Sequence, residues 1–266
     1  MMLGAILFLT PLLWMISTAF KAPSDIISGI GSAQWIPRPA TPENFTTVMT
    51  KAEEFPIWRW TFNSFFVSLA VTFLVLVVDS LAAFAYSRLH WRGRDQVFSV
   101  LVATMLVPGQ VLLIPTYLLI RQLGLFDSYA ALIFPAAANA FGVFLLRQFF
   151  LSIPKELEEA ARLDGCGPLG ILRHVILPLS KPALATLGIF TFMGTWNAFE
   201  GPLLFTDSTL MRTLPVGITI FQGRYNIEYG PMMAAAALAA IPVTIAFLVF
   251  QRHIIKGIAL TGLAGR

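Results

Sequence analysis

One cysteine, Cys166, stands in 266 residues, so the chain can form no internal disulfide and no cysteine-based metal site. Histidine is almost as scarce, and His90, His174 and His253 share no metal-ligand spacing. The pattern G-x-x-x-x-G-K-[ST] occurs nowhere, which excludes the P-loop way of cradling nucleotide phosphates. Charge is short throughout: 12% of residues are charged and 57% are hydrophobic. A soluble domain of this length needs more charged surface, so this is a membrane composition. The net charge of +4 could suit nucleic acid, but the basic residues lie in short loops between apolar runs, where membrane topology accounts for them.

What is abundant is long apolar sequence. A bilayer core of about 30 Å takes about 20 apolar residues to cross as a helix. Six runs approach that length: Met2 to Phe20, Thr61 to Tyr86, Val97 to Ile120, Tyr129 to Leu151, Pro182 to Phe205 and Met232 to Phe250. None shows the two-residue alternation of barrel strands. The expectation is an all-α polytopic membrane protein with six transmembrane helices, one domain over residues 1–266. Eleven of the 18 Lys and Arg (Arg88, Arg92, Arg94, Arg147, Lys155, Arg162, Arg173, Lys181, Arg252, Lys256, Arg266) fall on one side of that topology. By the positive-inside rule this side is cytoplasmic, and so are both termini. The other side receives the loop at residues 21–60, whose aromatic and proline content predicts order against the outer face, and a Gly- and Pro-containing loop from Thr206 to Pro231. The first run lacks a basic leader region and a small-x-small cleavage site, so it reads as a span rather than a signal peptide. The missing basic tail before it raises the expectation of a truncated start.

Residues 152–181, between runs four and five, are unlike the rest. Pro154 suits the first turn of a helix, and Glu156, Glu158 and Glu159 follow in the opening turns, where the helix dipole favours anions. Leu157, Ala160, Ala161 and Asp164 share a face at i, i+3, i+4 and i+7. Gly165 is placed to end the helix in the left-handed conformation. Pro168 opens a second helix through Leu169, Leu172 and Val175, with a stop expected at Pro178.

Glu159-Ala160-Ala161, Gly165, Val175 and Leu177-Pro178, at these spacings, resemble the "EAA" loop of membrane subunits in binding-protein-dependent ABC importers, a family with Ile where Val175 stands. NSFFVSLA, AAFAYSRL, IPTYLLIRQLGLFDS, LPLSKPALAT and RTLPVGI extend the likeness over nearly the whole chain and to the carbohydrate-uptake, maltose-type branch. The C-terminal TGLAGR departs from the GAVKG-like ending usual there. The resemblance implies a type I ABC importer permease fold working by alternating access. It also implies a second homologous permease, a dimer of P-loop ATPases carrying the ATP and Mg, an extracytoplasmic binding protein, and a sugar or polyol as solute. This chain would hold no cofactor and catalyse nothing itself. In the family the EAA loop docks into the ATPase, a role carried over to Glu159 and Gly165 first, with Ala160, Ala161, Asp164 and Leu172 in support.

Polar residues inside spans are candidates for a solute path. Trp196, Asn197 and Glu200 would neighbour one another on one continuous helix, the ring covering sugar C–H faces while the amide and carboxylate bond hydroxyls. An interface aromatic and a bond between helices explain the same residues, so both readings stay open. Asp79 invites a hydrogen bond to a neighbouring helix first and a place on the path second. Asn63 and Asn139 read as caps or links between helices, and Pro108 and Pro115 as interruptions of the third span. A stand-alone secondary transporter predicts inverted repeats and more buried ionisable residues. A membrane-embedded enzyme would want clustered His, Asp or Glu, where the spans hold two separated acids.

Overall fold

The structure is a computed structural model describing residues 2–27, 35–50, 55–221, 229–242 and 244–245. Every regular element among them is helical. In chain order these are α1 (Met2–Ala19), α2 (Pro23–Ile27), α3 (Glu43–Thr50), α4 (Ile57–Arg88), α5 (Arg94–Thr104), α6 (Gly109–Gln122), α7 (Tyr129–Ile133, continued by a 3-10 turn, Phe134–Ala136) and α8 (Ala140–Leu151). They continue as α9 (Glu156–Leu163), α10 (Pro168–Leu179), α11 (Lys181–Trp196), α12 (Glu200–Phe205), α13 (Leu214–Ile218) and α14 (Tyr229–Pro242).

The α4 helix runs for 32 residues without proline or glycine, about 48 Å at 1.5 Å per residue, which exceeds a bilayer core. Its pattern is the reverse of a soluble helix. Trp60, Ser64, Val67, Val71 and Val75 line the buried side with Ser68, Asp79 and Ser80, while Phe62, Phe66, Leu69 and Phe73 stand exposed at i, i+4, i+7 and i+11. Large apolar side chains outward and small or polar ones inward suit a lipid-facing helix.

Runs three, four and five carry prolines and are broken, although Pro115 sits inside α6 without interrupting it, as Pro11 does in α1. Pro108 separates α5 from α6 at a bend of 98°, because proline donates no N–H and bars Val107 from helical geometry. The α7 segment meets α8 at 43° and α10 meets α11 at 80°. Counted by length and composition among the described residues, one helix can cross a membrane, or up to four if each bent pair is one span. These account for runs two to five of the expected six. Runs one and six are represented by the shorter apolar stretches Leu7–Ala19 and Tyr229–Pro242, and most of run six past Pro242 lies outside the described residues.

The chain divides into two compact units, the division falling within α4. In the unit built from residues 2–65 and 197–245, Asn44 on α3 donates to the carbonyls of Ala19 and Lys21 at 2.9 and 2.8 Å, satisfying the end of α1. The segment from Thr209 to Leu214 is strapped to the start of α4. Trp60 Nε1 donates to Thr209 O at 2.7 Å, Asn63 to Leu210 O and Arg212 O, and the Leu214 N–H donates to Ser64 Oγ. Thus residues 35–50 and 206–221 are ordered by bonds to helix ends, and Asn63 serves as a link to a loop.

The unit of residues 66–196 centres on α4, α8 and α11. A Cβ on Gly142 would lie 2.0 Å from Asp79 Oδ2 and 3.1 Å from Leu187 Cδ1, and one on Gly188 would lie 3.5 Å from Leu76. Small residues let these three helices approach closely, the usual basis of helix association where burial from water supplies little drive.

Candidate functional site

The α9 helix starts after Lys155 with three acids in its first turns and ends as its sequence predicts. Gly165 has φ 84°; its N–H bonds Arg162 O at 3.0 Å and the N–H of Cys166 bonds Ala161 O at 2.9 Å. This pair of bonds is the Schellman closure, which satisfies two of the last carbonyls and needs the left-handed residue that glycine supplies without strain.

The α9 helix buries one narrow side. Glu158 and Ala161 point inward, 5% and 8% exposed. Leu157, Glu159, Ala160 and Asp164 point outward, so of the face formed by 157, 160, 161 and 164 only Ala161 is buried. The cause is Arg88, the last residue of α4. Its Nε lies 2.7 Å from Glu158 Oε1, off the line of its N–H bond and so a Coulombic contact, while its Nη2 donates to Phe150 O at 2.6 Å and Ile153 O at 2.7 Å. Both partners are buried, and pairing is what makes burial of the two charges tolerable. Sequence reading missed this pair, since by spacing Glu158 is indistinguishable from Glu156 and Glu159. The one available hint was a basic residue ending the longest apolar run.

Outward, Glu159 makes no ion pair among the described residues. Leu163 is 90% and Leu169 71% exposed beside it in sequence. Leu172, expected among the supporting contacts, is buried at 4%. The α10 helix does not stop at Pro178. Between Leu172 and Ile176 it widens to a π turn, with the Leu177 N–H reaching Leu172 O. This accommodates a proline that can neither donate to the carbonyl four residues back nor leave room for it. The break comes at Ser180, and Pro182 sits in the first turn of α11.

The solute-path candidates are not presented on one helix. Trp196 is the last residue of α11, buried at 2%, its ring stacked on Phe192 at 6.0 Å. The helix breaks at Asn197, and Glu200 opens α12 with its side chain exposed. Pro202 is the reason: in a continuous helix its ring would collide with the carbonyl of Ala198, whereas the first turn of a new helix accepts it. Asp79 is wholly buried, and its Oδ1 accepts the Asn139 N–H at 3.3 Å. The Asn139 side chain in turn accepts the Gly142 N–H at 2.7 Å as N-cap of α8. The expected link from Asp79 to a neighbouring helix is present, at the end of α8 where its dipole favours an anion. No group of His, Cys, Asp and Glu able to hold a metal occurs among the described residues.

With this geometry in place, comparison with known proteins supplies the class. Residues 80–260 match the family described as binding-protein-dependent transport system inner membrane component. An arabinooligosaccharides transport system permease protein of Halalkalibacterium halodurans is 32% identical over 255 residues, covering 96% of this chain and 91% of the relative. An sn-glycerol-3-phosphate transport system permease protein of Agrobacterium fabrum is 34% identical over 267 residues, covering 98% and 94%. Among solved structures, a chain of a bacterial ABC transporter involved in import of the acidic polysaccharide alginate superposes with a TM-score of 0.82 at 25% identity, over 94% of this chain and 92% of that one. The chain belongs to the family of inner-membrane permease components of binding-protein-dependent transport systems. It is an integral membrane permease of an ABC importer, with the helical fold of that group.

Proposed function

We propose that this permease carries a sugar, an oligosaccharide or a related polyol, inward by alternating access, and that α9 is the element through which separate P-loop ATPases drive it. The coupling reading rests above all on the outward face of α9: Glu159 and Ala160 lie exposed without a partner among the described residues, ended by the Gly165 cap and flanked in sequence by exposed Leu157 and Leu163. An exposed acid among small and apolar side chains is a surface made for another protein. Glu159, Ala160, Asp164 and Gly165 would meet the ATPase, while Ala161 and Leu172 hold the helices from beneath. The excess of Lys and Arg in residues 88–94, 147–181 and 252–266 supports a cytoplasmic position for this face and both termini. The complete importer would add a second permease and a binding protein on the outer side.

A carbohydrate solute is supported by the arabinooligosaccharide relative, and a polyol phosphate by the glycerol phosphate relative. Asn197 and Glu200, exposed at the break between α11 and α12, and buried Trp196 and Asp79 are the candidates in this chain for lining its path. The test is purification of the chain from its native membrane. A P-loop ATPase and a second permease should travel with it, and Glu159→Ala should abolish uptake while the chain still inserts. Uptake that persists without any ATPase would overturn the reading.

A further inference from the structure

A docking helix can move a transport pathway only if it is tied rigidly to the membrane helices. The chain joins α9 to α8 by residues 152–155 alone. Among the described residues, the one buried ion pair of α9 is with the side chain of Arg88.

We propose that the Arg88–Glu158 pair is a strut that makes α9, the end of α4 and the carbonyl end of α8 move as one body. The argument is geometric. A single guanidinium contacts three elements: it ends α4, it lies 2.7 Å from Glu158 on α9, and it donates to Phe150 O and Ile153 O where α8 gives out. Those carbonyls lie where α8 runs out of its own donors, so Arg88 closes that helix as well. Guanidinium is planar and presents its donors in a fixed fork, which resists swivelling better than an ammonium on a flexible stem. With the side chains of Arg88 and Glu158 only 3% and 6% exposed, water neither screens the pair nor competes with it. Removing either partner would leave a buried charge unmatched, so the three elements keep this arrangement together or lose it together. A second contact runs alongside: Arg147 on α8 donates from Nε to Tyr86 O of α4 at 3.3 Å. It reaches α4 and α8 but not α9. The polar share of positioning the docking helix therefore falls to Arg88 and Glu158, beside the apolar contact of buried Ala161.

This inference rests on the coupling role of α9 only for its purpose; the strut itself can be measured without an ATPase. Spin labels at Glu156→Cys on α9 and Phe73→Cys on α4, in a Cys166→Ser background of the full-length chain in nanodiscs, report the distance between the two helices by double electron–electron resonance. The unsubstituted pair should give one narrow distribution, and Glu158→Gln should broaden or shift it. A role in stability alone would lower yield and melting temperature and leave the distribution of surviving molecules unchanged, which would overturn the proposal. Should Glu158→Gln fail to insert, Arg88→Lys decides in its place. It keeps a positive charge facing Glu158, but one ammonium on a shorter stem cannot meet Glu158 and both carbonyls at once, so the distribution should broaden, and an unchanged one overturns the strut equally. If the strut is found and no ATPase co-purifies with the chain, the coupling role has failed while the strut stands.

Discussion

Two short segments, each marked by its sequence as a helix with work to do, met different fates. Residues 156–165 form the helix that their caps specify; residues 196–205 break in the middle. The difference is where the prolines and glycines fall. In the first segment Pro154 precedes the helix and Gly165 follows it, positions at which each residue favours a boundary. In the second, Pro202 lies two residues past Glu200, where its ring would collide with the Ala198 carbonyl of any helix running on from Trp196 through Glu200. A pattern of polar residues at helical spacing has meaning only where the backbone can be a helix throughout.

The largest effect on stability is expected at Trp196. Truncating this buried, stacked ring to alanine should lower stability by about 3–5 kcal/mol, read as a fall in melting temperature of the purified chain. A neutral result would show that the end of α11 is not packed as described. Next comes Gly142→Ala, whose Cβ would sit 2.0 Å from Asp79 Oδ2. Forcing α4 and α8 apart should cost about 1–3 kcal/mol, and Asp79→Ala in the same chain should relieve part of it, which a double-mutant cycle in melting temperature would register. Gly165→Ala should cost less, about 1–2 kcal/mol, from a left-handed φ imposed on a residue with a Cβ. No added loss from a neighbouring clash is expected, because that Cβ meets nothing within 4 Å. The smallest effect on stability belongs to exposed Glu159→Ala, within about 0.5 kcal/mol. This same substitution should abolish uptake, and a variant that melts normally and transports normally would break the contrast between the two segments.

Legibility in the sequence follows the range of the forces involved. The helix of residues 156–163, its Schellman end at Gly165 and the bend at Pro108 were all written in residues within a few positions of the feature. Asp79 was legible as a link to another helix because a buried carboxylate must find a donor, though nothing in its own neighbourhood named Asn139. The inward turn of Glu158 was not legible. Its partner lies 70 residues earlier, and spacing within α9 equally allowed the face with Leu157. The burial of Leu172 was not legible for the same reason, since a leucine on a short amphipathic helix can face a partner or its own core.

By itself, then, the sequence determined a helical membrane protein, its apolar runs, its local caps and the loop that marks its family, because composition and short-range backbone chemistry act without regard to the rest of the chain. Only the tertiary structure decided which runs stay straight, which side of α9 is buried, and that Arg88 gathers three helix ends at one guanidinium. Those are outcomes of packing and of charge satisfied across distance, and no window of sequence contains both partners.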